Sequence, residues 1–240
     1  GKGEKSVYET DIEIRSVRRP QVKVTPVTLE AGKSWKGTAG FPGADGTNSL
    51  VLEMSDVRPV NLSTRLSYLM GYPHGCVEQI TSKGFPQLYL SGFASLTREQ
   101  EQLAEAAVKE VIRRLRSYQT VDGSFSYWPG GTGSSAWGTV YATHFLLEAE
   151  KKGYLVPEGM KRNVLNDLSR TARNWKPEAS RFAESEEMTQ AYRLFVLALG
   201  QVSEVGAMNR LKESKTLAPM SRYLLAAGYA LIGRPDVSKE

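Results

Sequence analysis

Cys76 and Gln79 stand three residues apart in the string Gly71-Tyr72-Pro73-His74-Gly75-Cys76-Val77-Glu78-Gln79-Ile80, and Cys76 is the single cysteine of the 240-residue chain. A thiol and a carboxamide at that spacing share one face of a helical turn, so the sulfur can approach the carboxamide carbon. Attack by the thiolate with loss of ammonia would leave an internal thioester, an acyl group far more reactive than an amide. Glu78, beside the glutamine, could carry a proton to the departing ammonia. Pro73 fixes its own φ, and Gly75 permits a backbone shape that a β-carbon forbids, so the cysteine is expected on a sharp turn. The run from Val77 to Leu90 is expected to open as a short helix, whose positive N-terminal end favours a thiolate.

At these residues the chain resembles a known family. Gly75-Cys76-Val77-Glu78-Gln79 is similar to the Gly-Cys-x-Glu-Gln thioester motif of the α2-macroglobulin and complement family, and the longer string from Tyr72 resembles its bacterial branch. In that branch a tyrosine four residues before the cysteine helps shield the thioester, and Tyr72 holds the matching place. Vertebrate members usually have Gly where this chain has Val77, so Cys76, Glu78 and Gln79 carry over. The resemblance implies a broad-spectrum protease inhibitor that works as a single-use covalent trap rather than a turnover enzyme. A protease cleaves a bait region, a neighbouring domain moves away, and a lysine amine of the protease attacks the Gln79 acyl carbon. It implies target proteases and neighbouring domains of the full-length protein as partners, and no cofactor. Tyr72 and the Leu66, Leu69 and Met70 face would give part of an apolar shield. No bait region is identifiable, so the fragment alone is not expected to inhibit by trapping.

Other chemistries set competing expectations. A lone cysteine is most often a small buried hydrophobe, which would leave a non-catalytic helical interaction module. A cysteine hydrolase would need His74 or His144 within hydrogen-bond reach of Cys76, and the sequence has no papain-like signature. A toroid cyclase or glycosidase would need an acidic cluster, and no run of aspartates occurs. In some complement relatives a histidine elsewhere in the toroid directs transfer to hydroxyls. His144 comes too early in the chain for that role. The better counterpart, around Glu184 to Met188, has no histidine, so amine-preferring chemistry is expected. His144 itself is expected to pack, and His74 to be a turn residue.

Around the motif, the chain reads as two parts. Residues 1–58 alternate apolar and polar (Ile12, Ile14, Val17; Val22, Val24, Val27; 49–54), which predicts β-strands; by resemblance they form part of a CUB-like β-sandwich. Residues 59–240 read as helices. Asn61 is placed to cap a helix carrying Leu62, Leu66, Leu69 and Met70 into the turn. Thr97 and Gln100 make a capping box for a helix to about Tyr118, with Leu103, Ala107, Val111 and Leu115 as its apolar face. Gln119 to Trp128 resembles the Gln-x-x-Asp-Gly-x-aromatic turn between helices of α/α toroids, where aromatics plug the gap. Further helices are expected from Trp137 to Lys152, Pro157 to Trp175, Glu186 to Leu199, Ser203 to Lys212 and Pro219 to Ile232, with Gly153, Gly200 and Gly233 as stops. Serial hairpins alone would suit a solenoid; the turn and the thioester string favour a mainly α fold, a partial α/α toroid thioester domain preceded by a small β segment.

Composition narrows the class. The 31 basic and 26 acidic residues leave a net charge of +5 without a long basic run, which favours a solvated surface over nucleic-acid binding. One cysteine excludes an intrachain disulfide, and two histidines with it make a metal site unexpected. The chain begins Gly-Lys-Gly-Glu, without Met or signal peptide, as expected of a piece whose targeting region has been removed. The resemblance places the parent protein in the periplasm or cell envelope, tethered through a missing N-terminal region.

Overall fold

The structure, a computed structural model, describes residues 9–10, 21–52, 54, 75–93, 96–177, 182–214 and 217–239. The chain divides into two units, Gly1–Val60 and Asn61–Glu240.

In the first unit, the strands expected from alternation are not formed among the described residues. Val22, Val24, Val27, Leu50, Val51, Leu52 and Met54 are exposed rather than turned to a core. Alternation supplies the period of a strand but not the partner whose N–H and C=O groups would pair with it. The expected strand through Ile12, Ile14 and Val17 and the helix through Leu62 to Met70 lie outside the described residues.

The second unit is helical. Helix α1 (Val77–Gln87) buries Val77, Ile80, Thr81, Gly84 and Gln87, a three- and four-residue spacing that marks one face. It ends where Pro86 enters its last turn, and a short α2 (Leu90–Phe93) follows. In α3 (Arg98–Leu115) the expected capping box forms: Gln100 N–H donates to Thr97 Oγ1 at 3.2 Å, and Thr97 N–H to Gln100 Oε1 at 2.9 Å. Its buried face is Ala104, Val108, Val111, Ile112 and Leu115, whereas Leu103 is exposed. A strict four-residue step drifts by about 40° per step round the helix, so the expected series from Leu103 starts off the core and meets it only at Val111.

Four more helices follow, α4 (Ala136–Lys151), α5 (Glu158–Asn174), α6 (Ala183–Leu199) and α7 (Val205–Lys212), with α8 (Pro219–Leu231) after them. Helices α1, α4, α6 and α8 touch in series, and α3, α5 and α7 back them. This is the two-layered order of helix hairpins in an α/α toroid. Phe125, Phe145, Leu146, Leu194 and Leu197 lie in the continuous core between the layers. No helix among the described residues is long and apolar enough to cross a membrane.

Between α5 and α7, Glu204 accepts from Arg173 Nε at 2.9 Å and from the Ser169 hydroxyl. The Arg173 hydrogen bond holds the Glu204 carboxyl below its usual range, against the opposing effect of burial. A depressed carboxylate contributes stability above its unfolded pKa and loses it as pH falls through the folded value. Glu204→Gln is therefore expected to cost about 1 kcal/mol at neutral pH. The cost should vanish in strong acid, which urea unfolding at the two extremes would measure.

Candidate functional site

Cys76 is the N-cap of α1, with extended backbone (φ −70°, ψ 170°), and is 3% exposed. Its C=O accepts the first helical hydrogen bond, from Ile80 N–H, at 3.0 Å. Gln79 occupies the third helical position, and its Oε1 accepts from the Cys76 N–H at 3.1 Å. The Cys76 side chain turns in the opposite sense, toward the Gln79 backbone. Thiol and carboxamide thus sit in the reciprocal arrangement of a capping box, with cysteine in place of serine or threonine.

Gly75 makes this possible. Its φ is +111°, and a β-carbon there would lie 1.8 Å from Gln79 Oε1 and 2.8 Å from Gln79 Cδ. The carboxamide is folded back over the glycine, in the space a side chain would fill. Gln79 is exposed and Glu78 half-buried, so both can be reached from solvent.

The turn after α3 supports the site from the other side. Thr120 N–H donates to Ser124 C=O at 2.9 Å around the Asp122-Gly123 corner, where Gly123 has φ +98°. Phe125 is fully buried as the expected plug. The turn also does what its sequence did not announce. The Tyr118 hydroxyl donates to Gly75 C=O at 2.5 Å, and Val77 N–H, an orphan donor of the first turn of α1, donates to Tyr127 C=O at 3.0 Å. The nearness of Cys76, ahead of burial and Glu78, pushes the Tyr127 pKa up. Burial likewise raises Tyr118. Tyr127 was legible only as an aromatic of the Asp-Gly turn and Tyr118 only as the end of the helix before it; nothing in their spacing pointed to the start of α1, far away in sequence.

His144 stands apart from the sulfur. Its Nδ1 is 2.8 Å from the Tyr192 hydroxyl, and its ring meets Phe85, Tyr192 and Phe195 edge-on. Burial lowers its pKa, with Glu148 opposing. Along α4 it lies about 9 Å beyond Gly138, the residue packed against Val77. It is a packing residue of an aromatic cluster, as expected. Tyr72 and His74 lie outside the described residues, and no group of acidic, histidine and cysteine side chains fit for a metal occurs among the described ones.

The family model described as the A-macroglobulin TED domain matches residues 49–175, more than half of the chain. The chain belongs to this family. An α2-macroglobulin of Xylella fastidiosa (strain Temecula1) is 30% identical over 76% of the chain, and that of Escherichia coli K12 is 29% identical over 88%. The chain spans only 12% and 13% of those two relatives. Among solved structures, Salmonella α2-macroglobulin reacted with methylamine superposes with a TM-score of 0.65 at 28% identity, covering 75% of this chain and 12% of that one. Trypsin-activated E. coli α2-macroglobulin gives 0.60 at 25% identity, over 70% of this chain and 12% of that one. The helical unit is thus an α/α toroid thioester domain of the α2-macroglobulin type.

Proposed function

We propose that this chain carries the reactive centre of a covalent protease trap. The observation that carries the reading is the Gln79 carboxamide folded over Gly75 beside Cys76 at the start of α1. The thiolate attacks Gln79 Cδ, the tetrahedral adduct expels ammonia with a proton carried by Glu78, and a Cys76–Gln79 thioester remains. Tyr72 shields it, together with a neighbouring domain of the longer protein. When a protease cleaves the bait region of that protein, one of its lysine amines attacks the acyl carbon. A new amide forms, the C–S bond breaks, and Cys76 leaves as thiolate. The protease is then covalently held, and the centre is spent. Relatives solved after activation by trypsin and by elastase support proteases as targets, and the bacterial relatives support an extracytoplasmic, envelope location. Residues 1–58 belong to a CUB-like β-sandwich in this reading, and 59–240 to the thioester domain.

Intact mass with thiol titration tests it. Fresh protein is expected to weigh one ammonia less than its sequence and to show no titratable thiol, and methylamine should then release one thiol per chain. A full-sequence mass with a free thiol from the start would count against the reading.

A further inference from the structure

We propose that the Cys76 backbone N–H is an oxyanion donor to the Gln79 acyl group, and that Tyr118 is the positioning residue that aims it. The inference deepens the thioester reading above and rests on it. The C=O of Gly75 and the N–H of Cys76 belong to one planar peptide unit and point in opposite directions. Both ends of that unit are held. On one side the Tyr118 hydroxyl donates to Gly75 C=O at 2.5 Å, and on the other the Cys76 N–H donates to Gln79 Oε1 at 3.1 Å. An N–H selects the oxygen of the carboxamide, which leaves the Nε2 end as the group to be expelled. Tyr118 is itself anchored. The residue is 1% exposed, and its C=O accepts from the Ser126 N–H at 2.8 Å and the Ser126 hydroxyl at 2.9 Å. Val77 N–H, the next donor along the turn, is taken by Tyr127 C=O, so the Cys76 N–H is the one committed to the acyl oxygen.

Formation and opening of the thioester charge the same oxygen. In formation the Cys76 thiolate bonds to Gln79 Cδ and the carbonyl π pair moves to Oε1. The pair then returns and the C–N bond breaks, Nε2 leaving as ammonia with the proton brought by Glu78. In opening an amine nitrogen bonds to Cδ and the charge again gathers on Oε1. On collapse the C–S bond breaks with its electron pair on Sγ, and the surplus proton on nitrogen goes to water. The Cys76 N–H and the Tyr118 hydroxyl keep their protons throughout. A hydrogen bond to an oxyanion is stronger than one to a neutral carbonyl, so this contact strengthens toward the transition state and accelerates both steps. Tyr118 acts at one remove. Burial raises its pKa, with Arg114 opposing, so it remains a phenol donor at neutral pH. Its bond fixes the tilt of the peptide and polarises the N–H at the other end.

Tyr118→Phe keeps the buried ring and removes the hydroxyl. In the full chain treated with methylamine, thiol release from the variant is expected to be about tenfold slower, less than the loss of a whole oxyanion donor because the N–H remains but is no longer aimed. The infrared C=O stretch of the thioester, read as the band that methylamine removes, should lie at lower frequency in the wild type than in the variant. A tyrosine that only braced the turn would act differently: its loss would loosen the cover and speed attack, with the stretch unmoved. An equal or faster rate, or an unmoved stretch, would overturn the proposal. A further readout does not need the thioester. Exchange of the Cys76 amide proton should be faster in both Gln79→Ala and Tyr118→Phe than in the wild type, and equal exchange in all three would overturn the donor role. Absence of the thioester in the wild type would count against the trap reading, with the exchange comparison still deciding the donor.

Discussion

Gln79→Glu is expected to abolish the thioester completely while leaving the fold unchanged. The carboxylate keeps an oxygen where Oε1 now accepts the Cys76 N–H, so the start of α1 remains capped, and a negative charge in the first turn suits the helix dipole. What is lost is the leaving group. A carboxamide releases ammonia, whereas an ionised carboxylate resists attack by a thiolate and has no comparable group to expel. The variant should show the full mass of its sequence, one titratable thiol from the start and no response to methylamine, with a melting temperature close to wild type. A cysteine hydrolase would keep its activity in this variant, and a helical interaction module would show no change at all. A variant that still lost mass and hid its thiol would exclude Gln79 as the acyl donor.

The helical half of the fold was legible because its signals are local. Thr97 with Gln100, Gly153 after α4 and Pro219 at the start of α8 act within one turn of the residues they punctuate. The meeting of Cys76 and Gln79 at the start of α1 was legible for the same reason, since three residues of spacing bring them within one turn. Four-residue steps alone misplace the apolar face of α3, because the core follows a mixed three- and four-residue stripe. Alternation in Val22, Val24 and Val27 predicts strands but says nothing about pairing, and those side chains are exposed. Tyr118 and Tyr127 were beyond reach for a different reason. The Tyr118 hydroxyl meets Gly75 and the Tyr127 C=O meets Val77, far earlier in the chain, and only the packing of the turn against α1 brings them together.

Gly75→Ala is expected to block thioester formation as effectively, by geometry rather than chemistry. Alanine at φ +111° is strained whatever the space, at roughly 1–3 kcal/mol. Its methyl would also fall 1.8 Å from Gln79 Oε1. The obstructing atom is the end of a flexible side chain, so the clash can be relieved, but only by swinging the carboxamide away. That movement removes the acceptor for the Cys76 N–H and carries the electrophilic carbon away from its place over residue 75. A displacement of about 1 Å at a reacting centre can cost on the order of a hundredfold in rate. Gly153→Ala separates the two effects. Gly153 also has positive φ, +90°, yet nothing lies within 4 Å of the place its methyl would take, so this variant bears the strain without the clash. Both variants should lose stability in urea by similar amounts, while only Gly75→Ala retains its full mass and a free thiol. Normal thioester formation in Gly75→Ala would mean that the carboxamide reacts from some other position than the one over residue 75.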